Sequence, residues 1–580
     1  MRFNPDANIT LYEAADRLGG WVDTERVDVK TQDGEHATIS FERGARTIAP
    51  QTSMSRWEDF VFFDLVDQLG LLRRPDTAPY AIPKHHPVLS KRYIYYPDHL
   101  VEAPGAPPAN VSLVSKIIWG LRTMKRLLTE PVFKGLFPTV HLVWTREKTA
   151  QKKFLMTQAE KGSGFIGPAR YAIADHTDVS VGEFFARHTA NPDLVTNMLS
   201  ALFHGIWGGD VWKLSAAETN MQNFFLQSQH FGTELALVKE HDYHSGKDIV
   251  TRNPAVVDVM EQYGPKCSYI GFHNGFSALS EALAGALKSN PKVTIKTGHP
   301  VTAIRYEGEE EKAVVESSNG THKYDKVISS LYSGTLAKLT GDSLPALKRS
   351  TAVTIQIVNL WYPNPDLTAH TPGFGYLIPQ SVPAEKNPHA ALGVIFDSDR
   401  EAAAGSPEYT AAPGTKLTVM LGGHYWDYLD PESWPNAEEA TAMAIDTVER
   451  QLGIPSTEPV YTSTKVCREC IPQHLVGHRA RMAQAHTELY DAFRGTLAVV
   501  GGSYTSPGVL PTLKAARDMA LMVSGYGYKD EHRGFDRRLT HVGETGLAKF
   551  HGKNEKFRFV PHSILPFRGK MTHRAFNWKT

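Results

Sequence analysis

Ile9-Thr10-Leu11-Tyr12-Glu13-Ala14-Ala15-Asp16-Arg17-Leu18-Gly19-Gly20-Trp21 is the stretch that decides how the chain folds. Its apolar, β-branched start, Ile9 to Tyr12, predicts a short strand that ends on a carboxylate, Glu13. Arg17 comes four residues later, then the pair Gly19-Gly20. In a nucleotide-binding α/β unit, an acid at the carboxyl end of the second strand accepts hydrogen bonds from ribose hydroxyls. Glycines behind it let the backbone come close to a bulky ligand, because no Cβ holds it off. That unit also has a glycine-rich turn, closing a first strand and opening a helix, about 20 residues before the acid. Only eight residues precede Ile9 here, and none is glycine. The first strand and its turn are therefore missing from the unit, and the expectation is that roughly 25–35 further residues are encoded upstream of Met1.

Composition sets the bounds for the rest. At 580 residues the chain exceeds one ordinary core, so two or three domains are expected. Lys+Arg and Asp+Glu both count 62, which gives no electrostatic reason to expect nucleic acid as a partner. Three cysteines are too few for a disulfide framework. No apolar run approaches the length of a membrane-spanning helix.

Outward from Trp21, Val27 to Ile39 predicts a β-hairpin around Asp33-Gly34. It leads into Phe41-Glu42-Arg43-Gly44-Ala45-Arg46-Thr47, a glycine turn between two arginines. Tyr12-Glu13-Ala14-x-x-Arg17-Leu18-Gly19-Gly20-Trp21 together with Phe41-Glu42-x-Gly44-x-Arg46 resembles the flavin-containing amine oxidase superfamily. Within it, the Trp after the glycine pair and the Phe-Glu-x-Gly-x-Arg element resemble the protoporphyrinogen oxidases. Three later blocks keep the order of that family. They are the glycine-rich bend His204-Gly205-Ile206-Trp207-Gly208-Gly209-Asp210, the 271–330 section with Val301, and Leu497–Ser503 running through Pro507-Gly508-Val509-Leu510-Pro511.

Between these blocks, about Arg56 to Tyr80 has helical periodicity, and Lys91 to Pro97 is strand-like and aromatic. Val114, Ile117, Ile118, Leu121, Met124, Leu127 and Leu128 fall at helical spacing, with Lys116, Arg122, Lys125 and Arg126 off that face. A helix packed on a core and a monotopic membrane face both fit this pattern, and the aromatic, basic continuation to Trp144 suits the second. Lys148 to Gly167 is charged and reads as an exposed connection. Thr351–Trp361, Gly373–Pro379, Leu392–Asp397 and Lys416–Gly423 predict an antiparallel sheet, and Thr512–Ser524 a helix. Lys529 to Thr580 carries 12 basic against 5 acidic residues and reads as a basic, weakly structured tail.

The resemblance implies an α/β fold. Residues 1–60, 265–330 and 470–528 form a discontinuous Rossmann-like FAD-binding domain; residues 85–250 a helical membrane-associating and substrate region; residues 331–469 an antiparallel-sheet substrate domain. It implies FAD held by Glu13, Ala14, Arg17, Gly20, Trp21, Gly44, Ala45, Arg46, Thr47, Val301, Gly508, Val509 and Leu510. It implies protoporphyrinogen IX as substrate, lined by Arg92, Arg46, Gly205, Phe374, Gly375, Leu377 and Met420, with O2 as acceptor. Arg92 and Arg46 are the candidates for the two propionates, because Arg binds carboxylates bidentately. No catalytic side chain is expected, since the cofactor carries the electrons. The resemblance further implies a peripheral membrane surface at 114–144, the mitochondrial inner membrane, and possible pairing with a second copy or with ferrochelatase.

Two departures stand out: Ala49 replaces a second arginine that the family often carries, and Asn274 an expected glycine before Gly275. Cys467-x-x-Cys470 has no second cysteine pair and reads as a strand end, and no His spacing predicts a metal. Two rivals stay open: another amine or polyamine oxidase, and a chain that cannot hold FAD because the phosphate-binding turn is absent.

Overall fold

The computed structural model describes residues 3–49, 57–74, 77–83, 86–105, 112–139, 141, 178–187, 189, 191–219, 235–263, 267–524, 545–551 and 557–561. In chain order the first strands are β1 (Ile9–Tyr12), β2 (Thr24–Lys30), β3 (His36–Glu42), β4 (Pro79–Pro83), β5 (Tyr93–Tyr95), β6 (Leu100–Glu102), β7 (Leu235–Lys239) and β8 (Cys267–Phe272). Then come β9 (Val293–Lys296), β10 (Val301–Glu307), β11 (Lys312–Ser317), β12 (Gly320–Tyr324), β13 (Val327–Ser329), β14 (Thr351–Tyr362), β15 (Gly375–Leu377) and β16 (Ala391–Phe396). The last four are β17 (Thr415–Gly422), β18 (Tyr461–Gln473), β19 (Leu497–Val499) and β20 (Phe557–Pro561).

The hairpin forms around Gly34 at φ 85°, a left-handed turn that glycine adopts without a Cβ clash. β1 lies parallel to β9, and β13 parallel to β19. Among the described residues these are two separate two-stranded sheets. The expected antiparallel sheet is present and larger than its sequence signals. It has seven strands in the order β18-β14-β17-β16-β15-β5-β6, with one parallel pair, β15 and β5.

Four expectations need correcting. Among its described residues the periodic 56–80 segment is an α-helix over Trp57–Gln68 and a 3-10 turn over Leu71–Arg73, split by Gly70 at φ 69°, and the chain joins a sheet at β4. The helix expected over Thr512–Ser524 runs Val509–Val523, three residues ahead of its expected start, because Pro511 sits in the first turn, where a missing N–H does no harm. The basic tail is not wholly unstructured. Val499 N–H bonds the Thr545 carbonyl, Leu547 is fully buried, and β20 pairs antiparallel with β7. Its periodicity is hidden because the contacts are single side chains and one short strand. Finally, helix Leu113–Thr129 is not packed on a core by its apolar face. Leu113, Leu121 and Leu128 are 74, 67 and 71 % exposed, while Thr123 is buried and Leu127 packs inward beside Val132 and Phe133. Ser112 caps its start by accepting from Ser115 N–H at 3.1 Å. The Val140–Trp144 continuation, His141 excepted, and the 148–167 connection lie outside the described residues.

Candidate functional site

At the end of β1 the backbone of Glu13 is clamped on both sides: its N–H reaches Lys296 O at 2.9 Å and its carbonyl accepts from His299 N–H at 3.0 Å. Gly298 N–H adds a bond to Ala15 O at 2.7 Å. The acid and the turn leading into Val301 therefore share one corner. One Glu13 carboxylate oxygen accepts from Ala15 N–H at 2.8 Å. Ala14 is exposed beside it, and farther along Gly20 is exposed and left-handed at φ 55°.

Arg17 turns inward. Its guanidinium donates to Gly20 O at 2.7 Å and Val22 O at 3.1 Å, and pairs with Asp23 at 3.2 Å. It therefore shapes the glycine loop and offers no free charge beside it. Trp21 is exposed on one side, with Lys465 over its ring, and its carbonyl passes Gly44 so closely that any Cβ there would collide with it. That contact is the physical reason for Gly44. Ala45 packs beside Val22, Val509 and Leu510 on one core that includes Phe276, and Thr47 is half-buried next to it. Gly508, at φ 117°, opens helix Val509–Val523 without any side-chain cap. The structure thus brings the 19–22, 44–47 and 508–510 segments to one place, and Glu13 with Val301 to another.

Helix Ser277–Lys288 is the platform between them. Thr24 and Ser277 exchange hydrogen bonds at 2.8 and 3.1 Å, and Asn274 takes φ 63°, which Asn tolerates where a glycine was expected. Glu42 is buried here, accepting from Phe276 N–H at 2.7 Å and from the Thr24 hydroxyl at 2.8 Å. Burial pushes its carboxyl up to about 7 from an ordinary 4.5, although Phe276 N–H, Arg400, Thr24 and Arg46 all act to lower it. The folded protein thus keeps a proton that the unfolded chain releases, so this group's contribution is complete below pH 4.5 and lost as pH rises through about 7. Glu42→Gln removes that slope. Between pH 4.5 and 7.5 the wild type should lose on the order of 3 kcal/mol relative to the variant, read from urea midpoints at the two pH values.

Arg46 is 9 % exposed and donates from one nitrogen to both Asp397 oxygens at 3.0 Å and to Thr418 Oγ1 at 2.8 Å. Asp397 also takes Arg400 at 2.9 Å and the Thr418 hydroxyl at 2.6 Å. Burial works to raise its carboxyl, but Arg46 and Arg400 outweigh it and, with Thr418 and Lys416, hold it below the ordinary range. The acid that fixes Arg46 lies 351 residues away in sequence, and no local pattern could have marked it.

Register defines the wall opposite this cradle. Leu377, Gly393, Met420 and Ile357 are direct cross-strand neighbours over β15, β16, β17 and β14, so their side-chain positions share one face. Thr418 and Lys416, at period two along β17, lie on that face as well, against Arg46 and the Ser40 carbonyl. Gly393 lets Leu377 and the Tyr376 carbonyl come so close that a Cβ there would collide with both. Gly375 is at φ 128°, where Val394 O crowds any Cβ. Helix Ser200–Trp207 covers the far end, and a Cβ on Gly205 would come within 2.8 Å of Leu377.

Arg92 precedes β5 on the same face as Ile94, which pairs with Leu377. It is exposed, 5.9 Å from the Tyr269 ring and 5.7 Å from the Phe374 ring, and it donates to the Tyr269 hydroxyl. Those two rings stack at 5.0 Å. Among the described residues it has no carboxylate partner. Sequence reasoning missed Tyr269, which sits on an apolar strand with nothing local to distinguish it. Cys467 and Cys470 are free, and burial pushes their thiols up to about 11 and about 12.

The sequence model described as flavin containing amine oxidoreductase matches residues 2–511. A protoporphyrinogen oxidase of Schizosaccharomyces pombe is 25 % identical over 518 residues, covering 88 % of this chain and 91 % of its own length. The Homo sapiens protoporphyrinogen oxidase is 26 % identical over 525 residues, 89 % of this chain and 93 % of its own. A crystal structure from Exiguobacterium sp. 255-15 superposes with TM-score 0.58 at 17 % identity, covering 90 % of this chain and 94 % of the other.

Proposed function

Because the chain belongs to the flavin-containing amine oxidoreductase family, we propose that it oxidises protoporphyrinogen IX to protoporphyrin IX with FAD as cofactor and O2 as acceptor. The overall change removes six electrons and six hydrogens from the macrocycle and reduces three O2 to three H2O2.

The residues fit a flavin. Glu13 keeps a carboxylate oxygen beyond its bond to Ala15, and the first amides of Val509–Val523 have no side-chain cap. When bound, the flavin supplies the two-electron acceptor for hydride removal from a ring carbon. The chain's own residues do the rest. Arg92 holds a propionate at the rim of the slot, its guanidinium oriented by the Tyr269 hydroxyl and the stacked Tyr269–Phe374 pair. Leu377, Met420 and Gly205 present apolar surface to the macrocycle. Arg46, held by Asp397, fixes the cradle wall facing that slot.

The observation that carries the reading is Arg92: an exposed guanidinium without an acid partner among the described residues, set on the face that bears Leu377 and Met420. The test assays the purified chain supplied with FAD against protoporphyrinogen IX and against primary amines and polyamines. Porphyrin fluorescence with about three H2O2 per porphyrin is expected; turnover of an amine with the porphyrinogen left untouched overturns the reading.

The outward apolar face of Leu113–Thr129 supports a monotopic membrane contact, and the mitochondrial inner membrane is the surface this reading names. Among the described residues no helix is long and apolar enough to cross a membrane. Burying a leucine yields about 1.5 kcal/mol or more, so Leu113→Glu, Leu121→Glu and Leu128→Glu together should weaken binding to phospholipid vesicles by at least roughly a hundredfold. Cosedimentation with vesicles measures this, and unchanged binding removes the membrane role of this helix.

A further inference from the structure

One edge of β19 is completed by a segment that the family match does not reach. On the β13 side, Val500 N–H bonds Ser329 O at 2.9 Å. In a strand the neighbouring amide points the opposite way, to an edge that needs its own partner. There Val499 N–H bonds the Thr545 carbonyl at 2.9 Å. The family model ends at residue 511, so this partner lies beyond it.

Residues 545–551 meet the turn between β19 and helix Val509–Val523 at its entry, its middle and its exit. Gly546 sits at φ 84°, and a Cβ there would stand 2.1 Å from Val499 O on the entering strand and 2.6 Å from Met519 Cε on the departing helix. Only glycine permits both approaches. Leu547 is fully buried in one core with Leu489, Leu497, Val499 and Tyr504. Lys549 Nζ donates to Tyr504 O at 3.0 Å, and Tyr504 N–H closes the turn onto Gly501 O at 3.0 Å. Four residues after Tyr504, Gly508 opens the uncapped helix.

The segment is held from outside as well. Thr545 Oγ1 lies 2.6 Å from His486 Nδ1, and Arg479 donates to Lys549 O at 3.3 Å. The Phe550 ring lies 5.8 Å from the Arg479 guanidinium and 5.0 Å from Lys549 Nζ. It meets His478 edge-on at 6.0 Å, and His478 stacks on His474 at 3.9 Å. Burial lowers the His474 pKa to about 4; Lys549 adds to the fall, while Glu218 and the Ser503 and Gly502 backbones oppose it. Burial, then His474, also takes His478 well below its ordinary value, so both rings stay neutral beside the Lys549 cation. Farther on, β20 pairs with β7, which runs into helix Glu240–Arg252. From that helix Asp242 takes Lys514 at 2.9 Å and Asp248 takes Arg517 at 2.6 Å, a second hold on Val509–Val523.

We infer that residues 545–551 are an intramolecular strap that sets the 500–508 turn for the flavin, with Lys549 as its positioning residue. This rests on the flavin reading above. A turn fixed at entry, middle and exit is already ordered, so less binding free energy is lost in ordering it when the cofactor docks. Lys549 acts on the cofactor through the Tyr504 carbonyl.

The test uses the full chain, dialysed free of flavin and titrated with FAD, with flavin fluorescence giving the Kd. Lys549→Ala should raise the Kd about fivefold while the urea midpoint of the flavin-free chain holds, and Lys549→Arg should restore most of the loss. Gly546→Ala drives the strap off Val499 and should raise the Kd about tenfold or more. In the flavin-free chain it should also speed amide exchange across 497–510 at least about tenfold, with the β2–β3 hairpin unchanged. A wild-type Kd in both variants overturns the inference. So does an Arg variant as weak as Ala, or a midpoint that falls in step with affinity in Lys549→Ala, since plain packing would do that. Should Gly546→Ala not fold, Lys549→Ala and its Arg rescue decide alone. A wild-type chain that takes up no FAD defeats the flavin reading; the strap is then judged by exchange across 497–510, and a rate unchanged in Lys549→Ala and Gly546→Ala overturns it.

Discussion

Asp397→Ala lowers the stability of the folded chain by about 3–5 kcal/mol. Removing the carboxylate takes away an acceptor shared by Arg46, Arg400 and the Thr418 hydroxyl, all within 3.0 Å. Two guanidiniums then remain in a site where Asp397 itself is only 3 % exposed, and a buried charge without its partner is the costly case. Asp397→Asn keeps one acceptor oxygen and loses the charge, so its loss falls between wild type and alanine. The readout is the urea midpoint at unchanged slope. A midpoint equal to wild type would show that water reaches Arg46 and that the cluster is not closed. The flavin content of the folded variant gives a second reading: Arg46 freed from Asp397 leaves the 44–47 segment unpinned, and bound flavin falls with it.

The second large effect is at Arg92. Its replacement by alanine reduces kcat/KM for protoporphyrinogen IX by about 10- to 100-fold, because a charge-assisted bond to a carboxylate contributes roughly 1.5–3 kcal/mol. Most of this appears in KM, since the propionate is remote from the carbon that is oxidised. Arg92→Lys recovers part of the loss: the charge returns, but the planar fork above the Phe374 ring does not. Raising ionic strength narrows the gap between wild type and Ala, as expected of an exposed cation. Steady-state kinetics at two salt concentrations measures both effects. Identical kcat/KM in wild type and Arg92→Ala removes the propionate role.

What the sequence made legible was mostly local. Glu13, the glycine pair, the Gly44 turn, the strand at Val301 and the glycines before Val509 all carry their meaning within a few residues. The structure gathers them in two places, Glu13 with Val301 and the 19–22, 44–47 and 508–510 segments together. The partners were not legible. Tyr269 meets Arg92 across 177 residues, Asp397 meets Arg46 across 351, and His424 meets His204 across 220. Such contacts are decided by how separate elements pack on one another, which a hydrophobic pattern specifies only as in or out. Helix Leu113–Thr129 shows a different limit. Periodicity located its apolar stripe, but a stripe does not say whether core or outside faces it.

The parallel pairing of β1 with β9 has a consequence for how the protein is made. Ile9–Tyr12 is synthesised early, but its partner Val293–Lys296 leaves the ribosome roughly 280 residues later. At about 5–20 residues per second this is a wait on the order of 15–60 s. Until then the strand carrying Glu13 has no sheet to join, and its apolar residues are exposed to chaperones. The hairpin β2–β3 needs no such delay, and the helix after Gly508 comes later still. The β1–β9 corner and the helix after Gly508 therefore come together from segments separated by most of the translation time.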